Sequence, residues 1–360
     1  MKAQYTPLTI GTRTLPGNLF LAPLAGYTDR AFREVCRTFG ASFVYSEMIS
    51  AEAVARGNEK SLALAERGEN EDQLGLQIFL SSPEQAERAL PRLLHYSPTL
   101  IDINCGCPVP KIVKTGAGAA LMNVPEQIHR IVSTLSARTE IPITVKLRSG
   151  WSETSITFLE AGQASQEGGA AAVGFHPRTK AQGYAGTARH EFTAELVSHL
   201  SIPVIASGDL FFPKDAVTIL KETGCAGVMF ARGALGNPFI FSATRTLLAG
   251  PNENTNTIPS NSSSEAPSPE PPSIGEVIET GYRQLLQSVR YKGEERGCSE
   301  MKKHLSAYSK GLPRGSALRN ELMRCRSLRG FQDVLQRYLE AQSLPPGGPH
   351  GWLDHLYLEC

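Results

Sequence analysis

A chain of 360 residues with 41% hydrophobic content and a formal net charge of +1 has room for one large domain and a smaller one. Its bulk charge gives no sign of a nucleic-acid partner, so any such case must rest on where the charges sit. No apolar run nears the roughly 18 residues of a membrane span, and the opening Met-Lys-Ala-Gln-Tyr-Thr-Pro-Leu lacks the apolar centre of a secretory signal. A cytoplasmic protein with no membrane partner is expected. The cysteines number seven and, apart from Cys105 and Cys107, are scattered, which fits reduced thiols rather than a disulfide framework.

Short apolar or β-branched runs, each followed by a turn and a stretch of helical spacing, recur along the chain. In order, the expected strand and helix pairs are 19–22 with 29–39, 43–46 with 51–57, 75–79 with 83–95, 100–104 with 125–138, 143–147 with 154–167, 172–176 with 191–200, 204–207 with 213–222, and 227–230 with 238–248. Pro83, Pro125 and Pro213 open helices, where the missing N–H costs nothing. Eight repeats predict an α/β fold, a (β/α)₈ TIM barrel over residues 1–249. A doubly wound open sheet is the rival.

The strand ends favour the barrel. They carry Pro23-Leu24-Ala25, Glu47-Met48, Gln77, Asn104 to Pro108, Lys146 with Arg148, His176 with Arg178, Ser207-Gly208-Asp209 and Ala231-Arg232-Gly233. A barrel brings all of these polar and reactive groups to one mouth, whereas an open sheet leaves several far apart.

Residues 250–273 are Asn, Ser, Pro, Thr and Glu with little apolar content, which predicts a disordered linker or insert. Helical periods resume over 274–343, a small all-α domain, and 344–360 form a tail rich at first in proline and glycine. Between Met301 and Gly330 the charge is lopsided: Lys302, Lys303, Lys310, Arg314, Arg319, Arg324, Arg326 and Arg329 face a single acid, Glu321. Such a face suits phosphates read without regard to sequence, and it also suits plain solvation.

The small residues at the last two strand ends permit close backbone approach to a phosphate, with Arg232 adding a planar donor fork; two ordinary glycine turns are the alternative. Lys146, at the end of an apolar strand, needs a negative partner. The electron-rich edge of a flavin, a Schiff-base substrate or a salt bridge to Glu47 would each serve. His176 and Arg178, two apart, point the same way if the strand persists; a capped strand end with a solvated arginine is the other option. The Gln77 amide can both donate and accept, as reading a pyrimidine-like ring edge requires. Cys105-x-Cys107 has no second Cys or His pair to complete a metal site, so no metal is expected. Cys107, between Gly106 and Pro108, is placed to offer a protonated thiol, and Cys105 is expected to be packing.

Leu21-Ala22-Pro23-Leu24-Ala25-Gly26-Tyr27-Thr28-Asp29-Arg30, Asp102-Ile103-Asn104-Cys105-Gly106-Cys107-Pro108, Val145-Lys146-Leu147-Arg148, His176-Pro177-Arg178-Thr179 and Ala231-Arg232-Gly233-Ala234-Leu235-Gly236-Asn237-Pro238 resemble, in order, the signatures of tRNA-dihydrouridine synthases. The resemblance runs from about Pro7 to Gly330 apart from the insert. It implies an FMN-containing barrel that reduces the C5–C6 double bond of tRNA uridines with NADPH as hydride source. Pro23, Leu24, Ala25, Gln77, Lys146, His176, Ser207, Gly208, Asp209, Ala231 and Arg232 would hold FMN, and Cys107 would be the catalytic acid. The target base must leave the RNA stack to reach such a site. Asn104 and Arg178 are the expected contacts to it.

Met301-Lys302-Lys303-His304-Leu305 and Tyr308-Ser309-Lys310-Gly311 are similar to the tRNA-binding helical domain of the bacterial B-type subgroup. That similarity assigns Lys302, Lys303, Lys310, Arg314, Arg319, Arg324 and Arg326 to RNA. The chain departs from the family with Ser207 for a usual Asn, Ala231 for a usual Gly, and Arg189-His190 where Asp-Trp is common. A flavin-dependent dehydrogenase of a free pyrimidine, of the dihydroorotate type, and a tRNA-binding protein without catalysis are the alternatives.

Overall fold

The computed structural model describes residues 4–249 and 269–343. Eight parallel staves form a closed barrel: Leu19–Leu21, Phe43–Val44 continued by Ile49–Ser50, Gly75–Phe79, Leu100–Asn104, Ile143–Arg148, Ala172–His176, Val204–Ser207 and Gly227–Phe230. The last stave pairs with the first, Val228 opposite Leu19. The second stave is broken. Phe43 pairs back to Phe20, Tyr45 bridges forward to Gly75, and Ile49 lies opposite Ile78.

The expected strand 43–46 therefore stops short. Ser46 turns its hydroxyl onto the Glu47 carbonyl at 2.8 Å, and the same oxygen accepts from the Gln77 N–H at 3.1 Å. These bonds replace ladder partners and let Glu47 swing out to accept from the Gly26 N–H. A second departure lies in 154–167, where the helix begins only at Phe158 because Gly150–Ser152 and Ser155–Ile156 pair as an antiparallel hairpin. The helix expected over 238–248 runs Ile240–Ala249.

Strand alternation sorts the side chains. Phe20, Phe43, Tyr45, Ile205 and Met229 fill the barrel interior, whereas Leu19, Leu21, Val44 and Val228 face the helices outside. The hairpin of Leu8–Ile10 and Arg13–Leu15 adds fully buried Ile10 and Leu15 to the inner cluster, beside Leu100 and Ala172 at the strand starts. It plugs the N-terminal end, so the opposite end is the open one.

The C-terminal helices Ile274–Lys292, Glu294–Tyr308, Gly315–Leu322 and Leu328–Ala341 enclose a core of their own around Tyr282, Leu285, Phe331 and Leu335. Ser273 starts the first with a reciprocal cap: its Oγ accepts from Glu276 N at 3.3 Å, and Glu276 returns a carboxylate to Ser273 N at 2.8 Å. Most of the expected linker, 250–268, and the tail, 344–360, lie outside the described residues.

Polar bonds join the helices to the barrel. Buried Glu34 accepts from Tyr291 Oη at 2.6 Å and from Gln287 Nε2 at 2.9 Å, while Lys292 joins Asp29 and Glu300. At Gly236, φ is 70° and a Cβ would lie 2.4 Å from the Ala307 carbonyl carbon. Only glycine permits that approach. Among the described residues, no helix is long and apolar enough to cross a membrane.

Candidate active site at the barrel mouth

A cavity of about 470 Å³ opens at the C-terminal ends of the staves. Pro23, Leu24, Ala25, Gln77, Asn104, Cys107, Lys146, His176, Ser207, Gly208, Asp209, Ala231 and Arg232 all line it. Met48 and Arg148, named above only among the strand ends, line it too, as do Tyr27, Tyr184 and Phe211, to which the sequence assigned no site role. Arg148 was visible two residues after Lys146; the loop aromatics gave no local signal. Lys146, Arg148 and Arg232 make the wall cationic against one acid, Asp209. An anionic ligand fits that balance.

The Cys107 loop is tied at several points. Asn104 Oδ1 accepts from Cys107 N at 2.8 Å and from Gly106 N at 3.2 Å, and Arg148 Nε donates to the Gly106 carbonyl at 2.8 Å. Arg148 Nη1 also reaches the carbonyls of Thr179 and Gly183, both at 2.9 Å, and so joins two loops of the mouth. Burial pushes the Cys107 thiol up, only partly offset by the Val109 backbone and by Arg148. It is a protonated thiol at neutral pH. Cys105 is fully buried in the outer core, as expected of packing.

Lys146 runs past Gly174, where a Cβ would come within 2.6 Å of its Cδ. Lys146 lines the cavity, and desolvation lowers its pKa to about 8 despite the carboxylate of Asp102 nearby. His176 is held neutral by burial and by the flanking cations Lys146, Arg148, Arg178 and Arg232. Its Nε2 lies 3.3 Å from Arg178 Nη1, which can only donate. Nε2 is thus the acceptor, and Nδ1 carries the proton.

Arg178, expected as a contact to the target base, does not line the cavity. It is 1% exposed, and its guanidinium donates to Ala185 O at 3.1 Å, Gly186 O at 2.6 Å, both Asp209 oxygens at 2.8 and 2.7 Å, and His176. All five N–H groups are engaged, so none is left for a ligand. Asp209, with φ of 51°, lines the cavity with its carboxylate also taking Ala188 N at 2.8 Å and Arg232 Nη2 at 3.3 Å. The Arg189-His190 departure is accounted for locally, with His190 Nε2 3.0 Å from the Gly208 carbonyl and Arg189 paired to Glu153 at 3.1 Å.

Among the basic residues of the helices, Lys303 reaches the mouth, 5.4 Å from the centre of the Tyr27 ring. Lys310, Arg314, Arg324 and Arg326 are exposed, Lys302 is half-buried, and Arg319 donates to Ser309 Oγ at 3.1 Å. Among the described residues no cluster of three or more His, Cys, Asp or Glu side chains is arranged to hold a metal.

Comparison with known proteins places this geometry. Residues 20–343 match the model of the family described as dihydrouridine synthase. A probable tRNA-dihydrouridine synthase of Treponema pallidum is 42% identical over 86% of this chain and 89% of its own length. The tRNA-dihydrouridine synthase B of Xanthomonas campestris is 32% identical over 94% of this chain and 98% of its own. Among solved structures, histamine dehydrogenase from Rhizobium sp. 4-9 superposes with a TM-score of 0.53 at 11% identity, over 66% of this chain and 47% of that one. A 2-naphthoyl-CoA reductase gives 0.52 at 10% identity, over 67% and 51%. The chain spans about half the length of these two structures, and the likeness is one of fold alone. With nearly the whole described chain matched in sequence, and the motif residues gathered around one cavity, the protein belongs to the dihydrouridine synthase family.

Proposed function

We propose that this chain reduces the C5–C6 double bond of particular uridines in tRNA to 5,6-dihydrouridine, with FMN resident in the barrel mouth and NADPH as the hydride source. The observation that carries the proposal is Cys107, a thiol kept protonated by burial on the wall of a cationic cavity. The names of the tRNA-dihydrouridine synthase relatives agree with it.

The donor set fits an anionic flavin. Ser207, Gly208, Ala231 and Arg232 would take the phosphate, Gln77, Lys146 and His176 would take the ring system, and Pro23, Leu24 and Ala25 would pack beside it. When bound, the flavin supplies the hydride that reaches C6 of the uracil. Cys107 gives its proton to C5, so the double bond is consumed, NADPH ends as NADP⁺, and solvent restores the thiol. Asn104 faces the same space and would hold the target base. That base must be turned out of the RNA stack into the cavity. Lys302, Lys303, Lys310, Arg314, Arg319, Arg324 and Arg326 would meet the tRNA backbone, a role that a free pyrimidine substrate would leave empty.

The test is direct. Purified protein should carry FMN absorbance and oxidise NADPH in proportion to unmodified tRNA added. Cys107→Ala should slow tRNA-dependent turnover by roughly 10²–10⁴-fold, the usual worth of a general acid, while NADPH still bleaches the flavin. A colourless protein overturns the flavin assignment, and full activity on free uridine monophosphate overturns tRNA as substrate.

A further inference from the structure

The fourth stave carries a carboxylate that no step above uses. Asp102 is 3% exposed inside the barrel. Its Oδ1 accepts from Thr144 Oγ1 at 2.6 Å and its Oδ2 from Gln77 Nε2 at 2.7 Å, with Lys146 as the neighbouring cation. From Gln77 the bonds continue outward. Gln77 Oε1 accepts from Asn104 Nδ2 at 2.8 Å, and Asn104 Oδ1 accepts from the backbone N–H groups of Cys107 and Gly106.

This series has a direction, and its two ends impose it. A primary amide has nearly the same shape either way round, so two amides in sequence have several arrangements open to them. Burial raises the Asp102 pKa, yet both of its oxygens accept here, from Thr144 and from Gln77, and at the other end a backbone N–H can only donate. Gln77 must therefore turn its NH₂ to Asp102 and its oxygen to Asn104. Asn104 must turn its NH₂ to Gln77 and its oxygen to the Cys107 loop. Each amide keeps one N–H that these bonds do not use.

We infer that Asp102 is a positioning residue: through Gln77 and Asn104 it fixes the orientation of both amides and anchors the backbone that presents the Cys107 thiol. It touches neither the thiol nor the open cavity, and it acts by denying the amides their reversed state. A carboxylate serving only as a packed counter-charge to Lys146 would have no influence on the Cys107 backbone.

Hydrogen exchange of the ligand-free chain separates the two. Asp102→Asn keeps the shape but offers both a donor and an acceptor, so the direction is no longer enforced. The Gly106 and Cys107 amides should exchange about tenfold faster, the worth of roughly one hydrogen bond, with the rest of the barrel unchanged. The double variant Asp102→Asn with Asn104→Asp reverses the series consistently: Asp at 104 accepts from the loop and from a turned Gln77, whose oxygen accepts from Asn at 102. Slow exchange should return.

A role confined to packing or charge predicts instead that the double variant is worse than either single one, and that result overturns the inference. So does unchanged exchange in Asp102→Asn. Should that variant fold poorly, Gln77→Leu cuts the series while leaving the carboxylate beside Lys146. It should release the same two amides, and unaltered exchange there is equally fatal. Because neither FMN nor tRNA is present, these outcomes stand apart from success or failure of the proposed reaction.

Discussion

The ammonium of Lys303 stands 5.4 Å from the centre of the Tyr27 ring, joining the helix Glu294–Tyr308 to a loop that lines the barrel cavity. The neighbouring His304 packs edge-on to the same ring, with centroids 5.5 Å apart. Lys303 therefore stands beside a residue that lines the cavity.

Lys303→Gln should accordingly raise the apparent KM for tRNA several-fold with little change in kcat, and lower the slope of log affinity against log salt by about one. Binding titrations between low and physiological salt measure it. Parallel slopes for wild type and variant would remove Lys303 from the list of phosphate contacts.

Gly118 supports the Cys107 loop from below, with φ of 60° and no room for a Cβ, which would sit 2.8 Å from the Cys107 carbonyl oxygen. Gly118→Ala should move the thiol without removing it. Since displacements of about 1 Å can cost up to about 100-fold in rate, tRNA turnover should fall by about tenfold or more. Flavin reduction by NADPH should persist, and loss of both together would point to general unfolding.

Lys146 gives the ligand-free protein a signature in pH. Its pKa is about 8 in the folded chain, against 10.5 ordinarily, because the barrel desolvates the ammonium. Between those values the unfolded chain binds more protons, so stability rises with pH across the window. Below about 8 both states are charged and the cost is constant. Urea midpoints from pH 7 to 10.5 should show this rise in wild type, and Lys146→Met should flatten it; identical profiles would refute the assignment.

Arg178→Ala should act on stability. Removing one partner of a buried pair costs about 3–5 kcal/mol, and the low end is expected because Asp209 keeps some contact with solvent. Denaturant unfolding checks the loss, and limited proteolysis should find the loop at Ala185 and Gly186 opened. A variant as stable as wild type would show that the five hydrogen bonds are dispensable.

Much of the fold was legible because barrel strands and helices carry separate periodicities, and because prolines mark helix starts at Pro83, Pro125 and Pro213. The break in the second stave was not. The Ser46 hydroxyl and the Glu47 carboxylate take the N–H groups of Gln77 and Gly26, partners about 20 to 30 residues away whose approach no local pattern encodes. The late helix start at Phe158 has a similar origin, since Gly150–Ser152 finds its pairing partner across a tight hairpin.

By itself the sequence determined the repeated strand-helix plan, the residue types at the strand ends and the place of Cys107 between Gly106 and Pro108, since all follow from local spacing and chemistry. Tertiary structure alone decided how those groups divide the work. Arg178 and Asp209 carry charges that look equally available in a linear sequence, yet folding spends them on each other because a buried guanidinium needs every donor satisfied. Asp102, Gln77 and Asn104 are distant or interleaved in the chain, and only barrel closure lines them up behind Cys107. Direction in a hydrogen-bonded series belongs to its ends, and which ends meet is settled by the fold.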